Sequence, residues 1–147
     1  MRPDTSRTLQ GVAINLLTSV MAETKTAFGQ QTVGIAATLA MWVAEEAERG
    51  ADRLVLENRA TRAILGDGLE LAGSEAEAVR AAIATPVAPD FKISSLQAEN
   101  DSLRRGLIAL HTAVESKGSP AAEAMNERIW AELIESTRRR QFQVRIG

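Results

Sequence analysis

Residues 93–114, ISSLQAENDSLRRGLIALHTAV, set Ile93, Leu96, Asn100, Leu103, Leu107, Leu110 and Val114 at alternating spacings of three and four. Those spacings bracket the 3.6-residue turn of an α-helix, so the seven side chains form one continuous stripe. Sustained over three heptads, the stripe is a coiled-coil seam with Asn100 as its single polar member at an a-type position. A buried asparagine in such a place fixes register and oligomer number at a cost in stability. The segment therefore needs a helical neighbour, supplied by this chain or by another.

The flanks bound the seam helix to about 91–117. It starts at Asp90 or at Ser94, where Ser94 and Gln97 have capping-box spacing, and it stops at Lys117-Gly118. Ser119-Pro120 then supplies an N-cap and a first-turn proline for a last helix over about 120–141, whose apolar face carries Ala122, Met125, Ile129, Trp130, Leu133 and Ile134. The tail alternates Phe142, Val144 and Ile146, an extended segment or a frayed end. Upstream, Thr85-Pro-Val-Ala-Pro89 halts a helix, because proline has no amide proton and disfavours helix in the residue before it. Ser74 and Glu77 fit a second capping box, which opens a short helix over about 74–84 inside a flexible connection spanning about 66–90.

The N-terminal half is helical by the same signals. Leu9, Val12, Ala13, Leu16, Leu17, Val20 and Met21 form one stripe on a helix over about 4–24, started by Asp4, Thr5 or Ser6. Thr26 is a candidate N-cap for a second helix over about 30–65, which at 1.5 Å per residue would be roughly 54 Å long unless Gly50 bends it. Gly34, Ala36, Ala40, Val43 and Ala47 give its first half a close-packing face, expected at the centre of the assembly. Its second half is charged and keeps a thinner stripe through Leu54, Thr61 and Leu65. Leu54, Glu57, Asn58, Arg62 and Leu65 match Leu96, Glu99, Asn100, Arg104 and Leu107 at a constant offset. Five common helix residues do not establish a duplication. Asn58 is read as a surface residue.

Composition agrees with an all-α class. Of 147 residues 25 are alanine, the strongest helix former, and arginine outnumbers lysine 14 to 3. One antiparallel helical bundle over 1–147 is expected, with about four long helices and one short one. The charge-free run Thr26–Ala44 approaches the length of a membrane span, but Gln30 and Gln31 interrupt it. The apolar core of that run, Val33–Ala44, reads as a buried helix of a cytoplasmic protein.

Reactive constellations are scarce. The lack of cysteine removes disulfides and thiolate chemistry, and one histidine cannot build a histidine-rich metal centre within a protomer. A di-iron bundle needs two Glu-x-x-His pairs, whereas residue 108, three before His111, is isoleucine. Lys117-Gly118 lie too far from His111 for a phosphorelay helix, and Gly66 and Gly68 lack the Lys-Ser/Thr of a phosphate loop. No cofactor, metal or catalytic residue is assigned. The expected function is that of a non-catalytic helix-pairing protein, an accessory subunit or scaffold, homodimeric or bound to another helical protein. Its interface would use the seam from Leu96 to Val114, the Gly34–Ala47 face, or both. A second reading is a ligand-binding or enzymatic bundle with an internal pocket lined by Met41, Trp42, Met125 and Trp130. A third is a nucleic-acid-associated regulator using Arg138, Arg139 and Arg140, with Arg145, although a helix C-terminus favours arginines in any case.

Overall fold

The computed structural model describes residues 4–143. Among them every regular element is helical: α1 (Thr5–Asn15), a π-helical turn (Leu16–Val20), α2 (Met21–Glu23), α3 (Ala27–Gly68), α4 (Ala76–Ile83), α5 (Ile93–Glu115) and α6 (Pro120–Arg139). The fold is all-α, as the periodicity implies. The single domain expected over 1–147 resolves into two compact units, residues 4–50 with Phe142 and Gln143, and residues 51–141. Helix α3 contributes to both and is unbroken at Gly50.

Three of the expected caps form. Asp4 Oδ1 accepts the Arg7 N–H at 3.0 Å, Thr26 Oγ1 accepts that of Gly29 at 3.1 Å, and Ser119 Oγ accepts that of Ala122 at 3.3 Å, with Pro120 in the first turn. The two capping boxes do not. The turns at Leu69–Leu71 and Gly73–Glu75 are 3₁₀, and Gly73, at φ +55°, carries the chain into α4 with no side-chain cap. At the start of α5, Asp90 takes the Lys92 N–H instead.

The first unit is a helical hairpin. Only residues 24–26 separate α2 from α3, so the two arms lie side by side and antiparallel. Met21 Cε packs at Gly34, 3.7 Å from where a Cβ would stand, and the Gln30 side-chain amide donates to the Thr24 carbonyl at 3.0 Å. The helix expected over 4–24 contains a π turn at Leu16–Val20, whose extra residue slips the phase of the apolar stripe. Ala13 is buried, while Val12, Leu17 and Val20 are well exposed.

The second unit holds the core. The α3 segment from Leu54 pairs with α5, and the contacts climb together along both helices: Asn58 with Asn100, Leu65 beside Gly106, Gly68 against Leu110. The pair is therefore parallel. Parallel neighbours need a crossover, and residues 69–92, with α4 inside them, carry the chain back to the start of the seam. The stretch expected to be a flexible connection thus puts Ala72, Val79 and Ala82 into the core. Helix α6 returns after a short turn and adds Ala122, Met125 and Ile129.

Gly106 is where α4 meets α5. A Cβ there would collide with the Ala82 Cβ and crowd Leu65. At Gly68 the added Cβ meets the Leu110 side chain, most closely at a terminal methyl, which yields more readily than the Ala82 Cβ. We therefore expect Gly106→Ala to lose about 2 kcal/mol in chemical denaturation, because overpacking outweighs the gain in helix propensity. Gly68→Ala should lose less. Equal effects would show that α4 does not rest on Gly106.

Candidate functional site

All but one of the expected seam positions on α5 are buried. Leu96, Asn100, Leu103, Leu107, Leu110 and Val114 pack inside the chain, and only Ile93, at the open end, is exposed. Their counterparts at the constant offset, Leu54, Asn58, Thr61, Leu65, Gly68 and Ala72, are buried too. Asn58, expected at the surface, is buried instead. It is 4% exposed, and its Oδ1 accepts from Asn100 Nδ2 at 2.8 Å, while its own amide donates to the Leu96 carbonyl at 3.1 Å. The pairing is asymmetric. Asn100 Oδ1, on a side chain only 1% exposed, has no hydrogen-bond partner among the described residues.

A charged pair flanks this layer on each side. With the asparagines at a-type positions, Glu57 and Glu99 occupy g and Arg62 and Arg104 occupy e, the positions that bridge a parallel coiled coil. Glu99, 6% exposed, accepts from Arg62 Nη2 at 2.7 Å and from the Ala88 N–H at 2.8 Å. Arg62 also donates to the Ile83 and Thr85 carbonyls, so this one ion pair ties the crossover to the seam. On the other side Glu57, 2% exposed, is gripped by Arg140 through Nε at 2.9 Å and Nη2 at 2.5 Å. Burial pushes the Glu57 carboxyl up. The Arg140 hydrogen bond and charge, the Ser136 hydroxyl and the Arg104 charge outweigh that and hold it below its ordinary value.

The arginine cluster at the end of α6 is matched to glutamates. Arg139 spans Glu132 at 2.8 and 3.3 Å, Arg140 holds Glu57, and Arg138 lies 3.8 Å from Glu135. Arg145 lies outside the described residues, as does the tail beyond Gln143. His111 sits between Asn126 Oδ1 at 2.8 Å and Glu115 at 3.4 Å, with the Trp130 ring edge-on at 5.4 Å. Met125 is in the core of the second unit, whereas Met41 and Trp42 belong to the first, so the four pocket residues proposed from sequence divide between the units. Trp42 stacks on Phe142 at 5.2 Å, and the Gln143 N–H bonds both Glu45 oxygens.

Two of the surfaces among the described residues combine apolar area with room for a ligand or partner. One is a groove of about 380 Å³ in the second unit, between α3, the connection over 87–91 and the start of α5. The other is the hairpin. Its small-residue face is offset from expectation: Ala37 and Ala44 are buried and Gly34 and Ala40 partly so, but Ala36, Val43 and Ala47 are exposed. The apolar run Val33–Ala44, read from sequence as a buried helix, leaves Ile35, Leu39 and Val43 about half exposed along one line of α3. Of residues 8–44, only Glu23 and Lys25 at the turn are charged. No helix among the described residues is long and apolar enough to cross a membrane, and no three of their His, Cys, Asp and Glu side chains form a group able to hold a metal ion. No protein-family model, curated protein or solved structure matches this chain.

The polar layer makes two expectations. Asn58→Val or Asn100→Val alone strands a buried amide and should cost about 2 kcal/mol, while the double variant should recover most of that loss. Strictly additive losses in urea denaturation would show that the amides are not coupled. For Glu57 the folded carboxyl lies below its unfolded value, so its contribution is complete above the ordinary carboxyl range and fades as pH falls through the folded value. Arg140→Gln should therefore be less stable than the native chain at pH 7, with the gap closing below about pH 4. A gap independent of pH would assign the effect to packing.

Proposed function

We propose that this is a non-catalytic helical interaction protein, an accessory subunit or scaffold of the cytoplasm, that pairs through its N-terminal hairpin with a second copy. One observation carries the reading. From Thr8 to Ala44 the two arms carry no charge except Glu23 and Lys25 at the turn, and they expose rows of large apolar side chains. Two helices share only one seam, so a lone hairpin leaves its outer faces wet, and a contiguous apolar surface of that kind marks an interaction site.

A second copy suits this surface better than an unrelated partner chosen by charge. In a twofold dimer each patch meets itself, so any charge near the axis faces its own kind. The hairpin carries none between Thr8 and Ala22 or between Thr26 and Ala44. Two hairpins packed in this way make a four-helix bundle, the smallest arrangement that covers an apolar face on every arm. The α5 seam, also considered as an interface, is filled by α3 of its own chain and leaves the hairpin as the free pairing surface.

Light scattering during size-exclusion chromatography tests the reading. The native chain should elute at twice the mass of one chain. Leu39→Glu, an exposed position, should raise the dissociation constant at least tenfold, because two glutamates would meet at the axis. A single-chain mass at every concentration, or a dimer indifferent to Leu39→Glu, would remove the proposal.

A further inference from the structure

The groove of the second unit has a chemistry of its own. Its volume of about 380 Å³ falls within the range of small-ligand sites, and Val55, Leu96, Val87 and Phe91 give it apolar walls. Phe91 is 79% exposed and Val87 70%, so the outer wall of the groove is apolar and open to solvent. The walls are held by hydrogen bonds that are partly or wholly buried: Glu99 to the Ala88 N–H, Arg62 to the Thr85 carbonyl, Asn58 to the Leu96 carbonyl. A site fixed in this way needs little reorganisation to bind.

Charge decides what it would take. Both Glu99 oxygens are engaged, and Arg62 commits three of its N–H groups to the Ile83 and Thr85 carbonyls and to Glu99. Asp90 is paired with Lys92 at 3.0 Å, and Lys92 and Ser95 hold its carboxyl below the ordinary value. Arg59 also lines the groove and makes no hydrogen bond or ion pair among the described residues. What is left over is one guanidinium beside an apolar trough. A cation would be repelled, and a neutral apolar molecule would leave the guanidinium unused. A multiply charged anion would find only one guanidinium that is not already committed to a protein carboxylate.

We propose that this groove binds a small apolar carboxylate of the unbranched medium-chain alkanoate class. Arg59 holds the carboxylate head, and Val55, Leu96, Val87 and Phe91 enclose the chain. The site is independent of the hairpin and of pairing between copies.

Titrating the isotopically labelled full chain with decanoate, below its micelle concentration, reads the site directly by amide chemical shift. Saturable shifts at Val87, Ala88, Phe91 and Leu96 are expected. Affinity should fall about tenfold or more for decan-1-ol, which lacks the charge, and likewise for Arg59→Gln, which alters an exposed residue. Phe91→Ser should weaken decanoate and decan-1-ol alike. Shifts confined to hairpin residues, equal affinity for acid and alcohol, or full affinity in Arg59→Gln would each overturn the proposal.

Discussion

The hydrogen bond between Asn58 and Asn100 sets the terms for the second unit. Two amides in an apolar seam are tolerable only when they face each other, because a one-residue slip strands both in hydrocarbon. That requirement fixes α3 against α5 at one register and in one direction. The direction is parallel, and consecutive antiparallel helices would have needed only a short turn. Residues 69–92 exist in their present form because the chain must travel back the length of the seam. Helix α4 lies on that route, and Gly106 removes the side chain that would keep it away.

The flanking charges reinforce the register. Glu99 with Arg62 and Glu57 beside Arg104 occupy related positions on the two sides of one asparagine layer, as g and e residues do between identical strands. Their further partners differ. Glu99 reaches the crossover backbone, and Glu57 reaches Arg140 at the end of α6. The same pair of residue types thus fastens a different third element on each side. Ion pairs this deeply buried often contribute little net stability against apolar replacements. Their value here lies in orientation, since a misplaced partner would leave a buried carboxylate uncompensated.

Most of the helices were legible from periodicity and punctuation, because Ser119-Pro120, Thr26 and Asp4 announce their starts locally. The seam on α5 was equally plain. Its partner was not, for a physical reason. Opposite Leu103, Leu110 and Val114 stand Thr61, Gly68 and Ala72, small residues that admit the larger ones and let the backbones approach. A stripe made of threonine, glycine and alanine does not register as hydrophobic, so the second half of α3 reads as a charged helix with a thin stripe and Asn58 as an ordinary surface amide. The constant offset linking Leu54, Glu57, Asn58, Arg62 and Leu65 to α5 was the usable signal. Placing both sets on one heptad puts the asparagines at a and the glutamates and arginines at g and e. Arg140 escaped the same logic, because nothing local ties it to a glutamate so far away in sequence. The π turn was hidden as well, since Leu16–Val20 is good α-helical sequence.

Small residues thus play opposite parts in the two units. Around the seam they are complementary to large side chains of the same chain, and the core closes on itself. In the hairpin, Ala37 and Ala44 are the buried residues, and the large side chains Ile35, Leu39 and Val43 point away. A two-helix arrangement whose contact is made by alanines brings its arms close but spends its apolar bulk outside. Selection for a free-standing hairpin would place charges there, as it has done over the charged half of α3 from Glu45 to Arg53. The boundary between charge-free and charged sequence falls at Glu45, before the point after Gly50 where one compact unit gives way to the other. Charge therefore changes along a single continuous helix: it is absent where the hairpin exposes Ile35, Leu39 and Val43, and it is present in the segment that leads to the closed core of the second unit.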